Sequence, residues 1–187
     1  MAIDQDEIIR LTEDYGGQWG LNHTRRLLAL IAIIGEGLTY DPEAVWIAAH
    51  LHDWGAYPAW AEKDVDHAVR SRQVAEVFLT QNGCRAELKA LVLECIEFHH
   101  VGGEALSLES TLLREADILD FLGVVGVLRD FSKNARDLRK AYTITRGRLK
   151  SLPGLLSLPK AKAMAERRVA ETDEILGRFE KDSFGYF

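Results

Sequence analysis

The sequence has no run of about 18 consecutive apolar residues, so no segment reads as a helix that crosses a membrane. Cysteine is scarce. Cys84 and Cys95 are the whole supply and both lie in helix-like patterns, which excludes a disulfide framework and gives no sign of a thiolate metal site. Basic residues are outnumbered, 23 Lys and Arg against 29 Asp and Glu, and the net charge of −6 argues against non-specific nucleic-acid binding as the main role. The opening residues, MAIDQDEIIR, lack the basic cluster of a signal peptide, so the expected location is the cytoplasm. β-branched alternation is missing throughout, which leaves an all-α fold, a helical bundle.

What is present fits one domain spanning residues 1–187: 47% of the residues are hydrophobic and 28% charged, enough for a full core under a soluble surface. Residues 5–14 read as a short helix ending before Tyr15-Gly16-Gly17, and 21–35 as a second, with His23, Leu27, Leu30, Ile31 and Ile34 on one face. The next helix opens on Asp41 as cap and Pro42 as first residue, and Gly55 is expected to close it in the left-handed conformation. Along it Val45, Ala48 and His52 share a face. Adjacent helical residues diverge by about 100°, so His52 and Asp53 can grip one ion most easily where the helix ends.

Residues 57–64 read as a loop, and 66–80 as a helix aligning His67, Arg70, Val74 and Phe78 before Asn82-Gly83 stops it. Residues 85–100 carry Leu88, Val92, Cys95 and His99 on one stripe, ended by Gly102-Gly103. From Ser110 to Gly123 a further helix lines up Leu113, Asp117 and Phe121, which places the Asp117 carboxylate at a core position. Two last helices are expected over 129–150 and 159–178, with a turn at Pro153-Gly154.

Buried carboxylates and imidazoles are costly unless paired or bound to metal. One such residue has an ordinary explanation as a core or helix-end group. Here His23, His52-Asp53, His67, His99 and Asp117 continue core-facing stripes on five helices, and convergence on one point accounts for them together. Imidazole nitrogen with carboxylate oxygen and no sulfur suits one or two divalent ions of manganese, iron, cobalt, nickel or zinc. Four residues, His23, His52, Asp53 and Asp117, suffice for one ion. With His67 and His99 there are ligands for two, and Asp53 is then the natural bridge.

The ordered set resembles the HD-domain phosphohydrolase superfamily, an all-helical family of metal-dependent enzymes. HTRRLLALIAIIGEG is similar to the family's opening helix with its ligand His23, IAAHLHDWG to its signature helix with His52 and Asp53, and LLREADILDFLGVVGVLRDF to its closing segment with Asp117 as last ligand. The resemblance implies a domain core over about 20–131 with C-terminal helices over 132–180. His67 in DHAVRSRQVAE and His99 in IEFHH resemble the extra histidines of the binuclear members; His100 stands beside His99 as an alternative. Gly102-Gly103 is not followed by Gly-Tyr-Pro, and Ala56 stands where cyclic-dinucleotide enzymes carry lysine, so cyclic dinucleotides are disfavoured.

The implied activity is hydrolysis of a phosphate ester or anhydride of a nucleotide or similar small molecule. Asp53 is the central residue of that site. Glu62 and Asp64, in the loop, are candidates to protonate a leaving group or position water. Arg26 and Arg70, one turn after His23 and His67, are candidates for phosphate contacts. Trp54, Tyr57 and Trp60 offer rings that stack on a base or pack in the core. Residues 129–150 carry eight Lys or Arg and two Asp, a possible attractive wall for phosphates. The alternatives are a non-catalytic HD module that binds a nucleotide or a protein, and a di-iron oxygenase of HD-like fold.

Overall fold

The computed structural model describes residues 3–100 and 106–187. Among them are eight α-helices and two short 3-10 turns, with no strand, as an all-α chain requires. Gly102-Gly103 lies outside the described residues. The chain packs as two compact units, Met1–Ala116 and Asp117–Phe187.

In the first unit α1 (Gln5–Ile34) starts on Asp4, whose carboxylate accepts from Asp6 N at 3.0 Å and Glu7 N at 3.2 Å. The two helices expected here meet at a kink at Gly17, which leaves helical geometry (φ 61°, ψ −168°) and where a residue with a side chain would be strained. Helix α2 (Pro42–Leu51) is capped as expected: Asp41 accepts from Glu43 N at 2.9 Å and Ala44 N at 3.1 Å. Ala44, Val45, Ile47, Ala48, Ala49 and Leu51 are all buried. At its end His50 lies against Trp46, with ring centroids 3.9 Å apart at a tilt of 38° and Nδ1 2.8 Å from the Trp46 carbonyl.

Gly55 does not close α2 in the left-handed conformation. It sits inside a 3-10 turn, Trp54–Ala56, and its φ is not positive. Its smallness serves close packing instead: a Cβ there would lie 2.6 Å from the Arg70 carbonyl carbon, with Ser71 N nearer still. Those atoms belong to α3 (His67–Gln81), which Asp66 caps by accepting from Ala68 N at 2.9 Å. Helix α4 (Ala86–Phe98) follows, burying Leu88, Val92, Cys95 and Ile96. The first half of α1 is tied to this group through Thr12, fully buried, whose hydroxyl donates to the His50 carbonyl and accepts from Trp54 Nε1 at 3.1 Å.

Helix α5 (Leu108–Phe121) contains the boundary between the units. Its core carboxylates are Glu115 and Asp120; Asp117, expected in the core, is half-buried. In the second unit α6 (Val124–Lys133) and α7 (Leu138–Ser151) replace the single helix expected over 129–150. The chain breaks after Asn134, and Asp137 recaps it by accepting from Lys140 N at 2.9 Å. A 3-10 turn at Pro153–Leu155 leads into α8 (Pro159–Asp182).

The basic stretch is partly neutralised within this unit. Arg129 pairs with Asp120 at 2.6 Å, Arg148 with Asp130 and Arg146 with Asp173, while Arg139 Nε donates to the Phe187 carbonyl at 2.7 Å. At least four of its eight cations thus have partners inside the unit, which weakens the reading of 129–150 as a wall for phosphates.

Candidate metal centre

Helix α2 ends at Leu51, His52 keeps helical angles (φ −59°, ψ −32°), and Asp53 turns away (φ −103°, ψ 3°). That change lets two neighbours in sequence face one point. His52 Nε2 lies 3.4 Å from Asp53 Oδ2, and His23 Nε2, from the middle of α1, lies 3.8 Å from the same oxygen. The rings of His23 and His52 have centroids 5.3 Å apart.

A second set meets Asp53 from the other direction. His67 is the first residue of α3 and His99 the first after α4. Their ring centroids are 5.3 Å apart, and the His99 ring is 4.9 Å from that of His52. Two groups of ligand atoms result, His23, His52 and Asp53 in one and Asp53, His67 and His99 in the other. Within each group the atoms lie no more than 4.8 Å from one another. Asp53 belongs to both.

The rings are set for ligation. His52 Nδ1 lies 2.9 Å from the Ala49 carbonyl and His99 Nδ1 2.5 Å from the Ile96 carbonyl. A carbonyl oxygen only accepts, so each Nδ1 carries the proton and each Nε2 is left with its lone pair. Among the described residues His52 Nε2 is buried without a hydrogen-bond partner, a costly state for a polar atom that a cation would relieve. Burial by itself would raise the Asp53 carboxyl; the imidazole of His52, with those of His23 and His99, outweighs it and holds the group well below the usual carboxylate range. One carboxylate with four imidazoles and no sulfur fits a divalent transition metal.

Of the remaining candidates, His100 has its ring 4.8 Å from that of His67 but is exposed and belongs to neither group. Arg26 is half-buried one turn beyond His23. Arg70 is engaged: its Nε donates to the Trp60 carbonyl at 2.8 Å, its Nη1 donates to Gln73 at 3.0 Å, and Glu62 is 3.6 Å away. It braces the loop that joins Asp53 to His67. Glu62 and Asp64 are exposed on that loop, and Asp64 has a positive φ of 65°. Asp117 lies in the second unit, and its assignment rests on the resemblance.

Residues 20–122, more than half of the chain, match the HD domain family. The chain belongs to that family. The HD fold continues beyond the matched stretch. A predicted HD superfamily hydrolase from an uncultured Thermotogales bacterium is 26% identical, with 95% of this chain and 92% of that one covered and a TM-score of 0.70. Bacillus subtilis YpgQ, in its selenomethionine form, is 25% identical, covering 95% and 94% at a TM-score of 0.75, and its complex with ADP superposes at 0.74 with 24% identity. An HD-superfamily hydrolase from Bacillus thuringiensis is 20% identical, covering 95% of both chains at a TM-score of 0.73. No curated protein sequence matches the chain significantly.

One residue that the HD motif does not flag bears on the site. Ser71, fully buried on α3, accepts a hydrogen bond from Gly55 N at 2.9 Å. Its only trace in the sequence is a hydroxyl residue one turn after His67.

Proposed function

We propose that this HD protein is a metal-dependent phosphohydrolase acting on a nucleotide or a related small phosphate ester or anhydride, with two ions sharing Asp53. The observation that carries the reading is the membership of Asp53 in both ligand groups. A carboxylate has two oxygens and can face two cations, an arrangement suited to gripping the attacking and leaving oxygens of a phosphoryl displacement. The ADP complex of YpgQ supports nucleotides as the substrate class.

A divalent ion of manganese, iron, cobalt, nickel or zinc supplies Lewis acidity, polarising phosphoryl oxygens and making water more acidic. The protein's share is placement. His23, His52, His67 and His99 would offer ring nitrogens to the cations, and the carbonyls of Ala49 and Ile96 stop the His52 and His99 rings from turning. Asp53 holds cations and does not attack substrate. Arg26 contributes charge for phosphate oxygens, while Arg70 keeps the loop in place. Asp64 is better suited than Glu62 to passing a proton to the leaving oxygen, because Glu62 faces Arg70.

The test is hydrolysis. Protein stripped and reloaded with manganese, cobalt or iron should cleave some member of a panel of nucleotides and phosphate esters, and Asp53→Ala should lower the rate by more than about a hundredfold. Absence of turnover with metal demonstrably bound overturns the proposal. A preparation that takes up no metal at all points to a binding module, and oxygen consumption by the iron-loaded protein points to an oxygenase.

A further inference from the structure

The imidazoles of the centre are not braced alike. His52 and His99 each follow a helix, and the ring Nδ1 of each meets the carbonyl three residues back, at Ala49 and Ile96. His67 opens a helix, so no turn precedes it to offer that carbonyl; the residue three back, Asp64, lies in the loop with a φ of 65°. The His67 side chain is also 33% exposed, whereas His23, His52 and His99 are buried. The rings of His99 and His100 meet it edge to face, at centroid distances of 5.3 and 4.8 Å. Such contacts do not select which nitrogen carries the proton.

The acceptor beside His67 is Asp66. Its Oδ1 caps α3, accepting from Ala68 N at 2.9 Å and Val69 N at 3.3 Å, and these two bonds hold the carboxylate in place. Its other oxygen, Oδ2, stands 3.8 Å from His67 Nδ1. That is longer than a hydrogen bond, and a small turn of the ring closes it. A carboxylate only accepts, so it favours the tautomer with the proton on Nδ1 and the lone pair on Nε2, the form that can ligate a cation.

We propose, resting on the two-ion reading of the centre, that Asp66 is a positioning residue: one oxygen starts α3, and the other fixes the ring and tautomer of His67 so that Nε2 serves the ion shared with Asp53 and His99. The carbonyls that do this for His52 and His99 are replaced at a helix start by a side chain.

Asp66→Asn separates the two tasks. Asparagine caps a helix about as well as aspartate, but its amide NH2, a donor, takes the place of Oδ2 and draws the His67 proton onto Nε2. In metal-free protein at a pH where the rings are neutral, nitrogen-15 NMR should find His67 protonated on Nδ1 in the wild type and on Nε2 in the variant, with His52 and His99 unchanged. Urea denaturation should find the two proteins equally stable. Metal titration should find the second ion bound about tenfold more weakly in the variant, and the ion held by His23 and His52 unchanged. Asp66→Ser, which caps with its hydroxyl and leaves His67 without a partner, should fall between. An asparagine variant that keeps the wild-type tautomer, or binds both ions as the wild type does, overturns the role of Asp66 even if hydrolysis is intact. Metal uptake that His67→Ala does not alter overturns it together with the two-ion reading. A second ion weakened in Asp66→Asn, in a protein that hydrolyses nothing, upholds the role of Asp66 and counts against the hydrolase reading alone.

Discussion

Gly55 N donates to Ser71 Oγ at 2.9 Å, and at this point the turn after α2 touches α3 backbone to backbone. Asp53 stands two residues before the glycine and His67 four before the serine. The contact therefore fixes the distance between the carboxylate common to both ligand groups and a histidine found in only one of them.

Gly55→Ala should be costly for this reason. The added methyl would meet backbone atoms of Arg70 and Ser71, which cannot move aside as a flexible side chain can. A loss of about 1–3 kcal/mol or more is expected in urea denaturation. Metal uptake should fall as well, since α3 must shift away from Asp53; unchanged stability would contradict the packing described.

The ligand groups predict stoichiometry. His67→Ala touches only the second group and His23→Ala only the first, so each variant should keep one of two ions, whereas Asp53→Ala should lose both. Elemental analysis of the folded variants decides it. Two ions retained by Asp53→Ala would remove the bridging role.

The cysteines should differ in reactivity. Cys95 is fully buried, and burial pushes its thiol well above the ordinary range; the thiol of Cys84, partly exposed, is also pushed up, by burial and then by Glu43. The thiolate is the reactive form. An aromatic disulfide reagent should modify only Cys84 in native protein, slowly and faster as pH rises, and both thiols in denaturant. Fast modification of two thiols in native protein would contradict this burial.

In the second unit the buried pair of Arg129 and Asp120 should be sensitive to loss of one member. Their side chains are only 8% and 2% exposed. Asp120→Ala should destabilise by about 3–5 kcal/mol by removing the carboxylate that the buried guanidinium faces, while replacing both residues with apolar ones of similar volume should cost much less. Denaturation of the two single variants and the double variant measures the difference.

The sequence conveyed the parts of the site whose signals are local. Asp41, Pro42 and Asp66 announce helix starts through cap chemistry, and His52 and His99 stand out because an imidazole continues an apolar stripe at a helix end. Gly55 was misread because glycine near a helix end has two uses, a left-handed turn and a close approach, and only the second involves a residue far along the chain. The same holds for Ser71, whose partner is 16 positions away. Asp117 drew the core assignment because the four-residue step from Leu113 to Phe121 defines one stripe, whereas α5 buries residues around most of its circumference, Glu115 and Asp120 among them. The break between α6 and α7 has no proline or glycine, so Asp137 was its one local mark.

Tyr57 rests against Gly16 and Gly20 of α1, where a Cβ would come within 2.5 Å and 2.9 Å of its ring carbon Cζ. Gly16, Thr12 and Tyr15 all precede residue 20, at which the family match begins. Trimming the protein to the matched stretch would strip Gly16 from the seat of Tyr57 and remove Thr12, the hydroxyl partner of the Trp54 indole. The stretch matched by the family is thus shorter than the packed unit, and residues before position 20 belong to whatever folds around the histidines.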